Sequence, residues 1–498
     1  MIILVTLNLS FAGNNKETFK LLKQKPVYLT GVNYQILIAG NSQLKASDSI
    51  MVRHNKRIRF KSTIEDVLLE NQIIELNMVF TESGSFVIET GDTTHAIRIR
   101  VIPGWLSILP PLIAILLALI TRQVLIALFA GIWLGATFIF GFNPLTGFLQ
   151  TLSKYIAEAP ASTDRSSILI FTLALGGMVG VISKSGGTKG IVEHISKYAS
   201  NARRGQIAAW LMGVLIFFDD YANTLIVGNT MRPLTDKLKI SREKLSYLVD
   251  STAAPVANIA VISTWIGYEL SLINESFNSI GLQKNAYITF FKTIPVNFYP
   301  IFALAFGLAV AYFHRDLFSM HKAESRAAEG KGVMHKNAIP IADLDNSELS
   351  SKTGIALRWY NAAVPISMVI LTTLTGLWFT GLSNMDLPES EIIQMSTIHY
   401  ISTVIGGSDS FAVLMWAAFA GGLTAIIMAI SQRILTLNES VMAWVGGIKA
   451  MVMAALILTL AWAIGTICID IQTADFVISI TRNLLSPHWL PALSFIIA

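Results

Sequence analysis

Two adjacent carboxylates, Asp219 and Asp220, stand in the middle of the apolar stretch "LIFFDDYANTLIVGNTMRPL" at residues 215–234. A carboxylate at the centre of a membrane helix costs about 2.5–3.5 kcal/mol on insertion scales, so its presence there requires a partner or a function. Asn223 and Thr224 follow within about one helical turn and add amide and hydroxyl oxygens. A site of such oxygens that holds either Na⁺ or H⁺, but never both, exchanges the two ions by competition.

Oxygen is the donor atom that the candidate residues share, and oxygen ligands suit a hard cation such as Na⁺. The candidates for coupling sodium to protons are Asp219, Asp220 and Asp250. The candidates for ion binding are Asn223, Thr224, Asn229, Thr230, Ser251 and Thr252. Secondary candidates are Thr188, Asp409 and Ser410, of which Asp409 is more typical of a helix cap. We expect Na⁺ and H⁺ to be the transported ions at these positions, with no resident cofactor.

Helical spacing divides the first of these residues between two faces. Asp219 and Asn223 lie four positions apart and share a face, as do Asp220 and Thr224. Neighbours at i and i+1 point about 100° apart, so only one of the two carboxylates is expected to face the ion. The other is a candidate cap at a hairpin tip or a partner for Arg232. The sequence does not choose between the two pairs.

The composition identifies the kind of protein that must position these residues. Of the 498 residues 53% are hydrophobic and 14% are charged, whereas about 25% of the residues of a soluble domain are charged. The chain is therefore a membrane protein, and we expect the lipid bilayer as its surroundings. The net charge of +5 is modest and indicates no nucleic-acid partner. No phosphate-binding loop, His-Glu metal motif or nucleophile elbow is present in the sequence, so we expect a protein that is not an enzyme.

Apolar segments long enough to cross a bilayer, which takes about 20 helical residues, begin near Pro103. They lie at about 105–121, 123–141, 166–184, 205–234, 244–269, 292–313, 359–382, 411–431, 440–468 and 487–498. The loops "SKSGGTKG", "SKYASNARR" and "RPLTDKLKISREK" and the loop at 314–358 hold nearly all of the Lys and Arg of this part. These loops are predicted to be cytoplasmic by the positive-inside rule.

Segment 205–234 has basic residues on both sides, so it is expected to enter from the cytoplasm and return there. Residues 205–232, which number 28, are long for one crossing and suit a re-entrant hairpin with a turn near Tyr221–Thr224. A single tilted crossing is the alternative. The next segment contains Pro255, which predicts a broken or kinked helix. A hairpin followed by a broken helix is how secondary transporters build ion sites.

The start of the chain differs from the rest. Residues 1–12 are a possible signal peptide, a first β-strand or a signal that lacks its beginning. Residues 13–103 alternate apolar and polar positions, as in "IIELNMVF" and "HAIRIRVI", which predicts a small antiparallel β-domain of sandwich type. One crossing separates this domain from Arg122, so we expect it on the extracytoplasmic side.

An internal repeat is indicated by "GVISKSGGT" at 180–188 and "GTICIDIQT" at 465–473, whose Gly, Ile and Thr are all 285 positions apart. The two helices run in opposite directions in the predicted topology, which is the pattern of an inverted repeat. The first repeat is expected at 104–313 with its hairpin at about 205–234, the cytoplasmic loop at 314–358 and the second repeat at 359–498. Because the partner hairpin would begin near residue 490, we expect the second repeat to be incomplete in this sequence.

Three stretches resemble the NhaC-type sodium/proton antiporter family of the ion transporter superfamily. They are "LPPLIAILLALITRQVLIALFAGIWLGA", "FFDDYANTLIVGNTMRPLTDKLKISREKLSYLVDSTAAPVA" and "LAWAIGT". The resemblance runs from about 103 to 498 and implies an Asn-Thr pair at a hairpin tip in the substrate site, here Asn223 and Thr224. The family's GTSWGT-like stretch is missing from the second half, which supports the expected truncation. The β-domain is not part of the core family pattern.

The predicted fold is therefore an all-α polytopic membrane protein with inverted repeats, re-entrant hairpins and broken helices, preceded by a small all-β extracytoplasmic domain. The predicted function is exchange of sodium for protons by alternating access in the cell (inner) membrane, which serves pH homeostasis. One alternative is a sodium- or proton-coupled carrier of a small organic anion or amino acid. Another is a membrane-anchored receptor, which would have unbroken helices without interior acids. A homodimer is left open.

Overall fold

The computed structural model describes residues 20–22, 24–39, 49–55, 57–63, 68–69, 73–90, 96–196, 199–217, 220–260, 263, 265, 269, 272–273, 276–277, 282, 284, 286–335, 351–352, 354–385, 395–481, 487–489 and 492. The possible signal peptide at 1–12, Asp219 and most of the last predicted span at 487–498 lie outside these residues. The chain divides into two compact units, one of residues 1–159 with 459–498 and one of residues 160–458.

The first unit begins with two β-sheets. Their strands are β1 (Lys20–Leu21), β2 (Tyr28–Leu29), β3 (Asn33–Ala39), β4 (Ser49–His54), β5 (Arg57–Thr63), β6 (Leu68–Leu69), β7 (Ile73–Val79), β8 (Gly84–Thr90) and β9 (Ala96–Ile102). The sheets have the orders β1-β3-β7-β6 and β2-β9-β8-β4-β5. In β7 the apolar Ile74 and Leu76 are buried and Asn77 is exposed, so the period-2 pattern marks the inner face as predicted.

The prediction of a purely antiparallel β-domain is wrong at one position. Strand β2 pairs with β9 in parallel, and the other pairings between the described strands are antiparallel. Strand β2 has two residues, too few for a period-2 pattern to show its direction or its partner. The Tyr34 hydroxyl accepts a hydrogen bond from the buried Leu29 N at 2.9 Å, which holds β2 against β3.

Helices form the remainder of both units. Those of the first unit are α1 (Leu109–Thr121), α2 (Val124–Ile139), α3 (Pro144–Gln150, continued by a π-helical turn at Thr151–Ile156) and α16 (Thr473–Thr481). Those of the second unit are α4 (Thr163–Lys184), α5 (Gly187–Ser196), α6 (Ala202–Leu215), α7 (Asp220–Lys237), α8 (Arg242–Ile259), α9 (Ala286–Thr293), α10 (Phe298–Phe313), α11 (Phe318–Ala328), α12 (Tyr360–Ser383), α13 (Thr397–Gly406) and α14 (Ser410–Ser431). Helix α15 (Leu437–Asp470) runs from the second unit into the first.

Six helical segments among the described residues are long and apolar enough to cross a membrane. They are Gly104–Thr121, Arg165–Lys184, Phe298–Ala328, Tyr360–Ser383, Ala412–Ser431 and Leu437–Asp470. A seventh candidate is the pair Val124–Ile139 and Pro144–Ile156, which bends by 117° where the sequence predicted one span at 123–141. The polytopic membrane architecture is thus confirmed, whereas α6, α7 and α8 are not among the six candidates.

The core of the second unit lies where α4, α12 and α14 pack together. Helices α4 and α15 also approach closely, because a Cβ added to Gly447 would lie 2.1 Å from the Gly176 backbone oxygen. Such contacts between small residues are typical of helix packing in membranes, where backbones approach closely.

Two helices end in the same local structure. After α4 ends at Lys184, Gly186 has a φ of 76° and α5 begins at Gly187. After α15 ends at Asp470, Gln472 has a φ of 63° and α16 begins at Thr473. The two breaks are 286 positions apart, within one residue of the offset of 285 in the sequence motifs.

One detail of the predicted hairpin is wrong, and the helix that contains Pro255 is continuous. The turn was predicted near Tyr221–Thr224, but these residues already belong to α7, which begins at Asp220. A carboxylate in the first helical turn is favourable for the helix dipole, so Asp220 suits the start of α7. Helix α8 continues through Pro255 and ends at Ile259.

Candidate functional site

Helices α6 and α7 form a helical hairpin, in which Asn223 of α7 contacts the end of α6. The Nδ2 atom of Asn223 donates to the backbone oxygens of Gly213 at 2.6 Å and Ile216 at 3.0 Å. Ten residues of continuous helix would span about 15 Å, which is farther than an asparagine side chain reaches. The chain therefore reverses its direction between α6 and α7. The carbonyls at the end of α6, which lack helical donors, are satisfied by this side chain.

The amide oxygen of Asn223 is unusual because it is buried without a hydrogen-bond donor among the described residues. The side chain as a whole is fully buried. Exchanging the amide nitrogen and oxygen would only place the oxygen against two carbonyl oxygens, so the assignment is fixed by the acceptors. A buried acceptor without a donor costs about 1–3 kcal/mol, and a bound cation or water removes that cost.

The tip of this hairpin rests on the middle of α8. A Cβ added to Gly213 would lie 1.9 Å from Thr252 Oγ1, so α6 and α8 approach as closely as this glycine allows. Thr252 is fully buried and its hydroxyl donates to the Leu248 backbone oxygen at 2.8 Å. The hydroxyl hydrogen is thereby engaged, and the oxygen keeps lone pairs for a cation. The structure thus brings Asn223 and Thr252 to the two sides of Gly213.

Ser251 is the second buried hydroxyl of α8, and its Oγ donates to the Leu248 backbone oxygen at 3.3 Å. Because Pro255 has no N–H, the carbonyl of Ser251 has no helical donor four residues later. A free carbonyl of this kind inside a membrane helix is a candidate ion ligand. Helix α10 lines the same region, since Trp210 Nε1 donates to the Leu304 backbone oxygen at 3.2 Å.

The other primary candidates have different surroundings. Asp220 begins α7 and is half-buried, whereas the side chains of Thr224 and Asp250 are exposed. Of the Asn-Thr pair, Asn223 is therefore the buried member. Asp219 lies outside the described residues, and so do the side chains of Asn229 and Thr230, whose backbone belongs to α7.

The secondary candidates lie on other helices. Thr188 is buried in the first turn of α5, a helix that contacts α7. Asp409 is exposed and caps α14 by accepting from the Ala412 backbone N at 3.1 Å, which is the capping geometry that its sequence position favoured. Ser410 is the first residue of α14, and its side chain lies outside the described part.

One polar network was missed at the sequence level. The Nδ2 atom of Asn258 donates to the Glu269 carboxylate, and the Nδ2 atom of Asn297 donates to Asn258 Oδ1. Glu269 is half-buried, and this chain of hydrogen bonds connects it through Asn258, at the end of α8, to Asn297, just before α10. The sequence did contain a signal, because Glu269 is a lone glutamate in the apolar stretch "IGYELSL". A charged residue inside a membrane segment is costly and is therefore a candidate functional residue.

Comparisons with known proteins agree with the membrane architecture. Residues 256–498 match the model of the Na⁺/H⁺ antiporter family. A relative from Haemophilus influenzae, described as an uncharacterized protein, is 29% identical over 395 residues, covering 78% of this chain and 72% of the relative. No solved structure matches.

The family match begins inside α8, after Asn223 and Thr252, and it includes Glu269 and Asn297. The hairpin residues therefore lie before the matched part, and their roles rest on their own geometry. The chain is a polytopic membrane protein by its apolar helices, and its residues 256–498 are similar to the Na⁺/H⁺ antiporter family.

Proposed function

We propose that this protein exchanges Na⁺ for H⁺ across the cell membrane by alternating access, and that the ion is held where the tip of the α6–α7 hairpin meets α8. The observation that carries the proposal is the buried Oδ1 of Asn223, which has no donor among the described residues. The Thr252 hydroxyl oxygen and the carbonyl of Ser251 are the next oxygens on the α8 side. All three are neutral acceptors, which suit a hard monovalent cation.

The negative charge at this site comes from the acidic pair. Asp220 stands at the first turn of α7, within one turn of Asn223, and Asp219 precedes it. An ionised carboxylate balances the charge of a bound Na⁺, and a protonated one does not. Binding of Na⁺ and binding of H⁺ therefore exclude each other, which is the requirement for exchange.

The alternative of an organic anion as substrate is less well supported. An anion site would use helix N-termini, whose N–H groups attract negative charge. The N-terminus at this tip is that of α7, which carries Asp220 in its first turn. The other groups of the site are acceptors. A carboxylate substrate would therefore meet a negative side chain and oxygen lone pairs instead of donors.

Alternating access is supported by the two matching helix breaks. The breaks after α4 and α15 share their left-handed residue and their spacing, as expected when two repeats of one ancestral unit form a transporter. Inverted repeats let the two halves exchange conformations around one ion site. The distribution of Lys and Arg would place the β-domain on the extracytoplasmic side.

The proposal is tested with purified protein in sealed vesicles that contain a pH-sensitive dye. An inward Na⁺ gradient should drive protons outward in the wild type, and Asp219→Asn and Asp220→Asn should each be compared with it. We expect at least one of them to reduce exchange tenfold or more. The control is Asp236→Asn, which removes a carboxylate from the other end of α7, where it pairs with Arg242. Unchanged exchange in both Asp219→Asn and Asp220→Asn would overturn the proposal.

A further inference from the structure

A second cluster of polar side chains lies near the start of α6, at the other end of that helix from the hairpin tip. His314 follows the last residue of α10 in a left-handed conformation, with φ 54° and ψ 42°. Asp316 lies two residues later, and Glu324 belongs to α11. The short connection between α10 and α11 thus brings an imidazole and two carboxylates together.

The geometry of these three groups suits one metal ion. A ring nitrogen of His314 and carboxylate oxygens of Asp316 and Glu324 all lie within 4.8 Å of one another. Two ligands on opposite sides of an ion, with bonds of about 2.0–2.3 Å, are about 4–5 Å apart. The three donor atoms are therefore already spaced as they would be around an ion.

A fourth donor atom is present without a partner. Gln206 is fully buried, and its Nε2 donates to Glu324 Oε2 at 3.0 Å. Its Oε1 is buried and has no hydrogen-bond donor among the described residues. Exchanging the amide atoms would set the amide oxygen against the carboxylate, so the arrangement is fixed. The side chain that holds Glu324 thus carries a buried neutral acceptor that has no donor among the described residues.

One carboxylate of the cluster, that of Glu324, forms no ion pair with Lys or Arg among the described residues. The fully buried Lys244 pairs with Asp316 through Oδ1. Within the described part of the chain, the buried Glu324 receives its hydrogen bonds from neutral groups, namely Gln206 and the backbone N and Oγ of Ser241. Arg242 and Arg326 pair with other carboxylates, Asp236 and Glu243.

These hydrogen bonds orient the ligands without using all their lone pairs. Lys244 engages Oδ1 of Asp316, and among the described residues no donor engages Oδ2. Ser241 engages Oε1 of Glu324 at 2.6–2.7 Å and Gln206 engages Oε2 only once. Fixed outer partners of this kind are typical of metal-binding carboxylates. The exposed side of His314 provides a route from solvent.

We propose that His314, Asp316 and Glu324, with Gln206 Oε1 beside them, bind one divalent first-row transition metal ion of the Mn²⁺ or Zn²⁺ class. The imidazole separates this class from Ca²⁺ and Mg²⁺, which take oxygen ligands. The bound ion links α6, α10 and α11, and Ser241 and Lys244 connect the site to the start of α8. Because the ion binds only the folded protein, it also stabilises these helix ends against unfolding.

The test uses the purified full chain with any histidine tag removed and with metals stripped by a chelator. Binding of Mn²⁺ is followed by the loss of the free-ion electron paramagnetic resonance signal, and binding of Zn²⁺ by calorimetry. We expect one saturable site in the wild type and an affinity at least tenfold lower in His314→Ala. The control is His321→Ala, which removes an exposed histidine from α11 and should leave the affinity unchanged.

The exposed His314 can be removed without disturbing the buried hydrogen bonds, so His314→Ala is expected to fold. Glu324→Gln is a second variant that should also bind the metal more weakly. The folding of both variants is checked by thermal unfolding. A rise in melting temperature with Mn²⁺ in the wild type, absent in His314→Ala, would support the site. The proposal is overturned if the wild type shows no saturable binding, or if His314→Ala binds as tightly as the wild type. It is also overturned if His321→Ala loses as much affinity as His314→Ala. None of these outcomes depends on sodium/proton exchange.

Discussion

A single side-chain amide, that of Asn223, has two roles at the proposed ion site. Asn223 holds the end of α6 through Nδ2 and leaves Oδ1 buried beside the hairpin tip. Thr224, its neighbour in the sequence, is exposed. The family resemblance names both members of the Asn-Thr pair, but the helical rotation between neighbours allows only one to face inward. The structure therefore divides the pair into a candidate ligand and an outward-facing residue.

Replacing Asn223 by Ala removes the unsatisfied oxygen and both hydrogen bonds to the end of α6. We expect the Na⁺ concentration for half-maximal exchange to rise tenfold or more, because a direct ligand is lost. The measurement is the Na⁺ dependence of dye-reported exchange in vesicles.

Asn384→Ala is the matched control for Asn223→Ala, since Asn384 is an exposed asparagine that donates to the Gly407 backbone oxygen at 3.1 Å. It should leave the Na⁺ dependence unchanged. If Asn223→Ala, folded by size-exclusion chromatography, kept the wild-type Na⁺ dependence, Asn223 would not be a ligand.

At the scale of the element, the close contact between α6 and α8 sets the geometry of the site. A Cβ at Gly213 would lie 1.9 Å from Thr252 Oγ1, so any larger residue must push the two helices apart. The Gly213 carbonyl also accepts from Asn223, which means that this contact positions the candidate ligand as well.

We therefore expect Gly213→Ala to lower the exchange rate tenfold or more, although alanine is favourable for helix formation. Gly228→Ala is the control on the same hairpin, because a Cβ at Gly228 meets no described atom within 4 Å. Exchange measured in vesicles should be normal in Gly228→Ala. Equal exchange in the two variants would show that the contact between α6 and α8 is not needed.

The β-domain has its own sensitivity to pH through Tyr34. Burial raises the pKa of the Tyr34 hydroxyl above its ordinary value of 10.0. The neutral form is favoured in the folded domain, so this contribution to stability is complete below pH 10 and is lost as the pH rises above it. Tyr28, whose pKa burial also raises, adds in the same direction.

Tyr34→Phe should cost about 1 kcal/mol near pH 8, because it leaves the buried Leu29 N–H without its acceptor. It should also weaken the loss of stability above pH 10, since phenylalanine does not ionise. Resistance of the β-domain to limited subtilisin digestion in the full chain, from pH 8 to pH 11, measures both effects. Tyr312→Phe, at an exposed tyrosine of α10, should change neither. A Tyr34→Phe protein with the wild-type pH profile would contradict this reading.

The elements also show what the sequence can and cannot specify. Six long apolar segments were found because hydrophobic length is a local property that a window of residues contains. Pro255 predicted a broken or kinked helix; the helix is not broken there, since a proline removes one hydrogen bond but a helix packed in protein can continue past it. The partner of β2 and the burial of Asn223 depend on residues distant in the sequence, which periodicity does not report.

At the scale of the whole molecule, the chain combines a β-domain with a helical membrane part that contains two matching helix breaks. The spacing of 286 positions between Gly186 and Gln472 supports the inverted-repeat prediction, which came from three matched residues. The family match covers residues 256–498, which follow the hairpin, and it supports the proposed antiporter function independently of the hairpin residues. Sodium specificity and alternating access remain the parts that an ion measurement must test.

The central claim is that one site binds either Na⁺ or H⁺, and its most direct test is proton release on Na⁺ binding. Purified protein in detergent, weakly buffered near the pH at which exchange is half-maximal, is mixed with NaCl or choline chloride while a pH dye reports free protons. We expect Na⁺ to release protons and choline to release none, and Asn223→Ala to require at least tenfold more Na⁺ for the same release. Saturable Na⁺ binding without proton release would contradict this claim.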